Sequence, residues 1–374
     1  QLNLYVLVMF FYIDYGWAMV TPPPLKGRGA TGNAASARFD ALATQADGDW
    51  LDMRDSLDDV PPLRTTVSIE TPRTIITRNT SPDIPFDRSV NAYRGCEHGC
   101  IYCFARPTHA YLGLSPGLDF ETKLTAKPTA AALLRAELSK RGYQPKPLAM
   151  GTNTDPYQPI EADYRITRAL LAVLLEFGHP VTITTKSDRV TADLDLLAKL
   201  AAQNLVAVAI SVTSLDRTIA RSIEPRAPTP ARRIDAIRQL AIAGVPVFVS
   251  VSPVIPAITD HEIEAILEAA ASAGAHAAFT RPVRLPHEVA PLFRAWLDAH
   301  YPDRAARVLH LIQSMRDGRD NDPEFGTRMA GKGPYAEMLR RRFAIACARL
   351  GLDKPRLALA TDRFRVPSAQ LRLW

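Results

Sequence analysis

Cysteine is scarce in this chain, with four residues among 374. That scarcity excludes a secreted scaffold framed by disulfides, which needs a dense and paired set of thiols. Aromatic residues make up 7%, low for an extended base-stacking platform. No glycine-rich phosphate loop ending in Lys-Ser/Thr occurs, so nothing points to a P-loop nucleotide hydrolase. No acid–base constellation stands out, because the eight histidines are scattered and His109, His261 and His287 fall in expected loops or helix starts. The apolar run Leu2–Ile13 has twelve residues and no basic leader, short of the roughly 20 residues of a membrane helix.

The cysteines that are present are concentrated. Cys96, Cys100 and Cys103 lie within eight positions, in Arg94-Gly95-Cys96-Glu97-His98-Gly99-Cys100-Ile101-Tyr102-Cys103-Phe104. Thiolates at such loop-compatible spacing suit an iron–sulfur cluster. Three ligands on four irons leave one iron open, which favours chemistry over electron storage. Structural zinc with His98 as a fourth ligand is the alternative, although zinc sites usually draw ligand pairs from separated segments. Cys347 falls on the apolar side of an expected helix and reads as a buried core thiol.

Periodicity gives the architecture. Apolar, β-branched runs occur at Leu148–Gly151, Val181–Thr185, Leu205–Val212, Pro246–Ser252 and His276–Thr280, with a first strand expected near Ser89–Arg94. Helix-period segments lie between them at Thr129–Arg141, Asp163–Phe177, Thr191–Gln203, Thr229–Ala243 and Asp260–Ala273. Gly142, Gly178, Gly244 and Gly274 stand where those helices should stop. Alternation of strand and helix predicts an α/β fold of parallel strands with outer helices. About six units are counted, short of an eightfold barrel.

The Cys-x3-Cys-x2-Cys order, followed directly by Phe104 and placed just after a first strand, resembles the radical S-adenosylmethionine superfamily. Within it the chain is similar to the branch of spore photoproduct lyase and the DNA-repair-photolyase-like proteins. Gly151-Thr152-Asn153-Thr154-Asp155-Pro156-Tyr157-Gln158-Pro159 and Ile223-Glu224-Pro225-Arg226-Ala227-Pro228 carry that closer likeness, which covers Thr65 to Leu285. The resemblance implies a partial (β/α)6 TIM-like barrel, a 4Fe-4S cluster on Cys96, Cys100 and Cys103, and S-adenosyl-L-methionine as cofactor. It further implies a 5′-deoxyadenosyl radical that abstracts hydrogen from a substrate, a reductant such as flavodoxin or ferredoxin, and nucleic acid as a candidate substrate. The other class of function is a non-catalytic iron–sulfur redox sensor or electron carrier.

In such barrels functional groups gather at the carboxyl ends of strands. Lys186 can neutralise the cofactor's carboxylate, while Ser211, Thr152 and Asn153 offer short polar groups; the resemblance gives Lys186 and Ser211 the same roles. Gly151, Asp155, Glu224 and Arg226 complete the expected cofactor contacts. Each also has a structural reading: a strand-end turn for Gly151, a cap on the turn before Pro156 for Asp155, and a local ion pair for Glu224 and Arg226. Ser250–Pro256 either lines the adenine or forms a rigid turn. Spore photoproduct lyase carries a further cysteine just after the second strand as hydrogen donor, and Thr152 stands there. A hydroxyl does not replace a thiol in that role, because its O–H bond is much stronger; Tyr93, Tyr102 and Tyr157 are the other candidates.

Net charge is +6, and it is uneven: residues 304–374 carry 15 basic and 7 acidic residues. The run Arg340-Arg341-Arg342 with nearby Arg349, Lys354, Arg356, Arg363 and Arg365 therefore offers candidate phosphate contacts, or an ordinary solvated helix face. Residues 1–18 are expected to be a pre-start segment, 19–64 a flexible leader, 65–285 the core barrel and 286–374 a basic, mainly helical extension. Within the extension, Phe325–Tyr335 is glycine-punctuated and basic, as expected of either a cover over the site or an ordinary loop. An oxygen-sensitive cluster fits a cytoplasmic location.

Overall fold

The computed structural model describes residues 25–33, 36, 38 and 63–367, so residues 1–18 lie outside the described residues. Ten strands form among the described residues: β1 (Thr66–Ile69), β2 (Ile76–Arg78), β3 (Arg88–Val90), β4 (Tyr93–Arg94), β5 (Lys123–Ala126), β6 (Leu148–Met150), β7 (Val181–Thr185), β8 (Val206–Ser211), β9 (Val247–Val254) and β10 (Ala277–Pro282). Seven join in the order β10-β9-β8-β7-β6-β3-β2. All neighbouring pairs from β3 to β10 are parallel, and β2 runs antiparallel at the end.

The strand expected over Ser89–Arg94 divides in two. β3 stays in the large sheet, whereas β4 pairs with β5 in a second sheet of order β1-β5-β4. The turn between them is fixed because the Ala92 carbonyl accepts the Lys127 N–H at 3.1 Å.

Helices alternate with the parallel strands: α1 (Ala130–Leu138), α2 (Ile166–Phe177), α3 (Leu194–Ala201), α4 (Pro230–Ile242) and α5 (Ile263–Ser272), followed by α6 (Val289–His300), α7 (Pro302–Ser314) and α8 (Gly333–Leu350). The helix expected from Asp163 is interrupted at Arg165, whose φ is 51°. Its continuation, α2, is capped by Glu161, which accepts from the N–H groups of Thr167 (2.9 Å) and Arg168 (3.2 Å). Those N–H groups have no partner within the helix, so the carboxylate satisfies them.

β8 is buried at every position, as required of a strand with side chains inside and helices outside. Burying each Val or Ile there contributes roughly 1.5–3 kcal/mol relative to exposure. α8 packs on α5 and β10, with ion pairs Arg342–Glu264 (2.7 Å) and Arg349–Glu268 (2.5 Å). It therefore takes the place of a sixth outer helix. Met315, Leu339 and Cys347 belong to the same buried cluster as the strands, so the helical C-terminal segment shares the barrel's core.

The amino ends of the strands are sealed by the segment after α8. The Leu352 carbonyl accepts from Ala278 N–H (3.0 Å), Ala360 N–H donates to Asn204 O (2.9 Å), and Arg365 N–H donates to Phe177 O (3.0 Å). The Phe364 ring packs on Phe177, Tyr143 and His179. No hydrogen-bonded pairing joins β10 to β2 among the described residues. Instead a side-chain bridge spans the two edges. Arg316 donates to Val283 O (2.6 Å) just past β10 and to Arg328 O (3.0 Å), while Arg328 pairs with Asp83 between β2 and β3 and donates to Ser81 Oγ (2.9 Å). Of the two readings of Phe325–Tyr335, its first residues form this bridge.

No helix among the described residues is long and apolar enough to cross a membrane.

Candidate active site at the cysteine loop

The loop from Gly95 to Phe104 leaves β4 and carries Cys96 and Cys100 buried and Cys103 half-buried, all as free thiols. Local N–H···O=C turns, Gly99 to Cys96 (3.3 Å) and Cys103 to Cys100 (3.2 Å), coil it tightly. Its carbonyls are gripped from behind by Arg106. This fully buried guanidinium donates to Cys100 O (2.9 Å), Gly99 O (3.1 Å), Pro116 O (3.1 Å) and Gly117 O (2.9 Å), and pairs with Glu121 at 2.5 Å. Glu121 in turn accepts from the N–H groups of Gly29 (3.0 Å) and Ala30 (2.9 Å).

The described residues 25–33 therefore dock against the loop, while most of the leader expected over 19–64 lies outside the described residues. A Cβ on Gly29 would lie 1.8 Å from the Gly99 carbonyl oxygen, so only glycine permits that approach.

The loop after β6 clamps the other flank. Gln158 accepts from Glu97 N–H (2.9 Å) and donates to Gly95 O (3.2 Å), which also accepts from Thr154 Oγ1 (2.6 Å). Asp155 accepts from Thr185 Oγ1 (2.6 Å), Lys186 N–H (2.8 Å) and Tyr157 N–H (2.9 Å), and lies 3.3 Å from His98 Nδ1. Burial drives the Asp155 carboxyl upward, but the His98 charge and these donors outweigh it and hold it at about 2. The Tyr157 contact is the turn cap anticipated for Asp155. His98, the zinc alternative's fourth ligand, faces this carboxylate, and no three or more His, Cys, Asp or Glu among the described residues are arranged to share one ion.

Gly151 has φ +87°, and a Cβ there would lie 1.9 Å from Thr184 O. Close passage of β7 is thus a sufficient reason for this glycine. Thr152 exchanges a hydrogen bond with the Asn91 side chain (3.2 Å), whose oxygen also accepts Asn153 N–H (3.1 Å). Asn91 thereby holds the tip of this loop.

The turn after the short helix Arg217–Ile223 supplies the third flank. Ile101 N–H donates to Ile223 O (3.1 Å), and Arg226 N–H donates to His98 O (3.2 Å). Glu224 and Arg226 do not pair with each other. Glu224 is buried 2.5 Å from Arg233 and accepts from Thr213 Oγ1 (2.7 Å) and the Tyr102 hydroxyl. Arg226 reaches Glu97 at 3.0 Å.

Ser250 is buried and lies in register with Ser211. Ser252 Oγ is buried without a hydrogen-bond partner.

Lys186 lies at the end of β7, its Nζ 5.7 Å from the Tyr102 ring centroid. Burial lowers the ammonium's pKa, yet Cys100 and Glu224 outweigh burial and hold it above the ordinary value. Among the described residues the ammonium has no ion pair or hydrogen bond, nor has the Ser211 hydroxyl at the end of β8. The three thiols sense each other: burial, Asp155, Cys100 and Cys103 together push Cys96 well up, and burial pushes Cys100 up to about 12 despite Lys186. The tyrosines named as hydrogen donors are buried with their hydroxyls on carboxylates, Tyr93 on Glu161, Tyr102 on Glu224 and Tyr157 on Asp193 (3.0 Å).

Sequence reasoning did not find Arg106, Glu121, Gln158, Asn91 or Arg233. Only Gln158 lay in a motif already singled out.

Residues 90–270 match the family model of the Radical SAM superfamily. An uncharacterized protein of Mycobacterium tuberculosis is 37% identical over 288 residues, 76% of this chain and 81% of that protein. Among solved structures, a mutant spore photoproduct lyase matches with TM-score 0.54 and 17% identity over 76% of this chain and 79% of that one. A mutant of the same enzyme with bound AdoMet and dinucleoside spore photoproduct matches with TM-score 0.52 and 16% identity, over the same 76% and 79%. At such identity the likeness is one of fold.

Proposed function

The chain belongs to the Radical SAM superfamily, and on that premise we propose that it is an enzyme in which Cys96, Cys100 and Cys103 hold a 4Fe-4S cluster beside a site for S-adenosyl-L-methionine. The observation that carries this reading is the Lys186 ammonium at the carboxyl end of β7, with its Nζ 5.7 Å from the Tyr102 ring centroid and no ion pair or hydrogen bond among the described residues. The donor set fits: three free thiols on one loop, electrostatically coupled, with the loop's backbone carbonyls fixed from behind. When bound, the cluster and cofactor together supply a one-electron cleavage of the sulfonium and a 5′-deoxyadenosyl radical.

The chain's own residues do the rest. Lys186 neutralises the cofactor's carboxylate, and Ser211 and Asn153 offer polar contacts at neighbouring strand ends. Asp155 acts one layer back, fixing the Lys186 backbone and the His98 ring. Glu224 and Arg233, each buried and paired, hold Tyr102 beneath Lys186. Arg226 and Gly151 line the loops around them. A carrier that stores electrons would have no use for an unpaired cation beside its cluster, which weighs against the redox-sensor reading.

Hydrogen abstraction from a nucleic-acid substrate is the proposed outcome. The structural neighbour with a bound dinucleoside spore photoproduct supports it. Thr152 in the place of a hydrogen-donating cysteine separates this chain's radical quenching from that of spore photoproduct lyase. A cytoplasmic location and a flavodoxin or ferredoxin reductant belong to the same proposal.

The test is anaerobic. The protein is reconstituted with iron and sulfide, reduced and mixed with S-adenosylmethionine, and 5′-deoxyadenosine is quantified. Formation that vanishes in Cys100→Ala upholds the reading. A fully loaded cluster whose electron paramagnetic resonance signal does not respond to S-adenosylmethionine overturns it.

A further inference from the structure

The bridge that spans β10 and β2 gathers arginines. Arg281 is the penultimate residue of β10, and Arg284 lies two residues past the strand's end at Pro282. Arg316 and Arg328 form the bridge itself. Arg356, after α8, adds its charge to Arg281. Two carboxylates face this group, and both are occupied. Asp83 holds Arg328 and accepts Gly326 N–H (2.6 Å), while Asp322 accepts Glu324 N–H (2.9 Å) and Thr327 Oγ1 (2.7 Å).

Arg281 and Arg284 are the uncommitted members. The guanidinium of Arg281 donates to its neighbour's carbonyl, Thr280 O, at 2.8 Å, and makes no ion pair among the described residues. That of Arg284 lies 6.0 Å from the ring centroid of Phe104 and likewise has no ion pair. Phe104 directly follows Cys103 and is 54% exposed, so the arginine group reaches the rim of the cysteine loop. Burial lowers Arg284 and Arg316, the latter to about 10, and mutual repulsion among the guanidinium groups adds to that. Cations gathered together with the nearby carboxylates engaged repel one another, and an anion that joins them relieves that repulsion.

We propose that Arg281 and Arg284, backed by Arg316, Arg328 and Arg356, bind backbone phosphates of a nucleic-acid strand and lead it along the β10–β2 seam to the rim of the cysteine loop at Phe104. Guanidinium forks match phosphate oxygens two at a time, and successive forks suit a chain of phosphodiesters better than a single carboxylate. The exposed Phe104 ring offers one base a stacking surface. This site deepens the nucleic-acid reading of the substrate and rests on it.

The sequence pointed chiefly to Arg340-Arg341-Arg342, and of the seam's arginines only to Arg356. In the fold Arg342 is paired with Glu264, and Arg340 donates to Gly331 O (3.0 Å), which leaves only Arg341 of that run uncommitted.

The test uses the full chain and a short fluorescein-labelled single-stranded oligodeoxynucleotide, with binding read by anisotropy across a salt series. Arg281→Gln with Arg284→Gln is expected to weaken binding by about 10-fold or more. It should also flatten the slope of log affinity against log salt by about 1.4, the loss of two phosphate contacts at roughly 0.7 each. Arg340→Gln with Arg341→Gln should leave both unchanged. Arg281→Gln alone, at an exposed position, keeps the comparison valid if the double variant does not fold.

Equal affinity in the seam variant, or an equal loss in the Arg340/Arg341 variant, overturns the proposal. So does wild-type protein that binds neither the oligonucleotide nor a nucleoside monophosphate. Competition by the monophosphate with no advantage for the longer strand retains the arginine site but assigns it to a small phosphorylated substrate. Measuring 5′-deoxyadenosine in the same preparations separates the two readings: cofactor cleavage without phosphate binding sinks this site alone, and arginine-dependent binding without cleavage sinks the radical reading alone.

Discussion

The two ends of the parallel strands treat their polar groups in opposite ways. At the amino ends the chain satisfies itself: Asn204 donates to Ala358 O (2.9 Å), His179 meets Tyr143 (2.9 Å) and Pro180 O (2.9 Å), and Phe364 covers the ring cluster. At the carboxyl ends the Lys186 ammonium, the Ser211 hydroxyl and the guanidinium groups of Arg281 and Arg284 have no ion pair there. A buried polar group costs free energy unless it is partnered. Ser211 is buried and Lys186 and Arg284 are half-buried, so the partners of these groups are expected from outside, whereas Arg281 is exposed. Substitutions at the two ends should separate accordingly, with stability lost at one and binding lost at the other.

Arg106 tests the limit of that contrast, because it sits on the open side yet is wholly committed to the chain. Arg106→Met leaves Glu121 buried without its cation, which costs about 3–5 kcal/mol. A denaturant titration should show that loss even in the cluster-free protein. A loss below about 1 kcal/mol would mean that the loop is not held from behind.

His179 sharpens the sealed end through pH. Burial, the largest influence, keeps its ring well below the usual range, at about 4. The unfolded chain takes up a proton near 6.5 that the folded chain refuses until about 4, so stability is complete above about 6.5 and declines as pH falls toward 4. The decline attributable to this residue is at most about 3 kcal/mol. Melting temperatures of His179→Gln should be flatter than wild type across that window, and parallel curves would refute the assignment.

At the open end, Lys186→Gln should weaken S-adenosylmethionine binding by roughly 10- to 100-fold, the range for a hydrogen bond to a charged group. Anaerobic calorimetry reads it directly, and the melting temperature should barely move. The smallest effect belongs to Phe364→Ala, a half-buried ring: about 1–2 kcal/mol of stability, with 5′-deoxyadenosine formation per loaded cluster unchanged. A Phe364 variant that lost cofactor cleavage would erase the distinction between the ends.

Much of this arrangement was readable in the sequence. The strands were visible because Val206–Ile210 and its counterparts are β-branched or small runs, and the cysteine loop because its ligands are neighbours in the chain. The partners that hold the loop were not visible. Arg106 and Glu121 are 15 residues apart, Asn91 and Thr152 are 61 apart, and Glu97 and Arg226 are 129 apart. Composition carries no signal for such pairings. The same limit misdirected the reading of charge: adjacent arginines on α8 drew attention, while the arginines of the seam (Arg281 with Arg284, Arg316, Arg328 and Arg356) come from four separate segments. The break at Arg165 was hidden because a carboxylate, Glu161, caps a helix that follows it rather than continuing the one before.

The Asp83–Arg328 contact joins residues 245 positions apart, and that separation orders events in time. Contacts of such long range form late, after the intervening chain has closed on itself. As the polypeptide leaves the ribosome, the three thiols emerge well before Arg316 and Arg328. The seam beside Phe104 thus remains unlatched until the segment carrying Arg316 and Arg328 has been made, and the cysteine loop passes through an interval in which one of its flanks is still open.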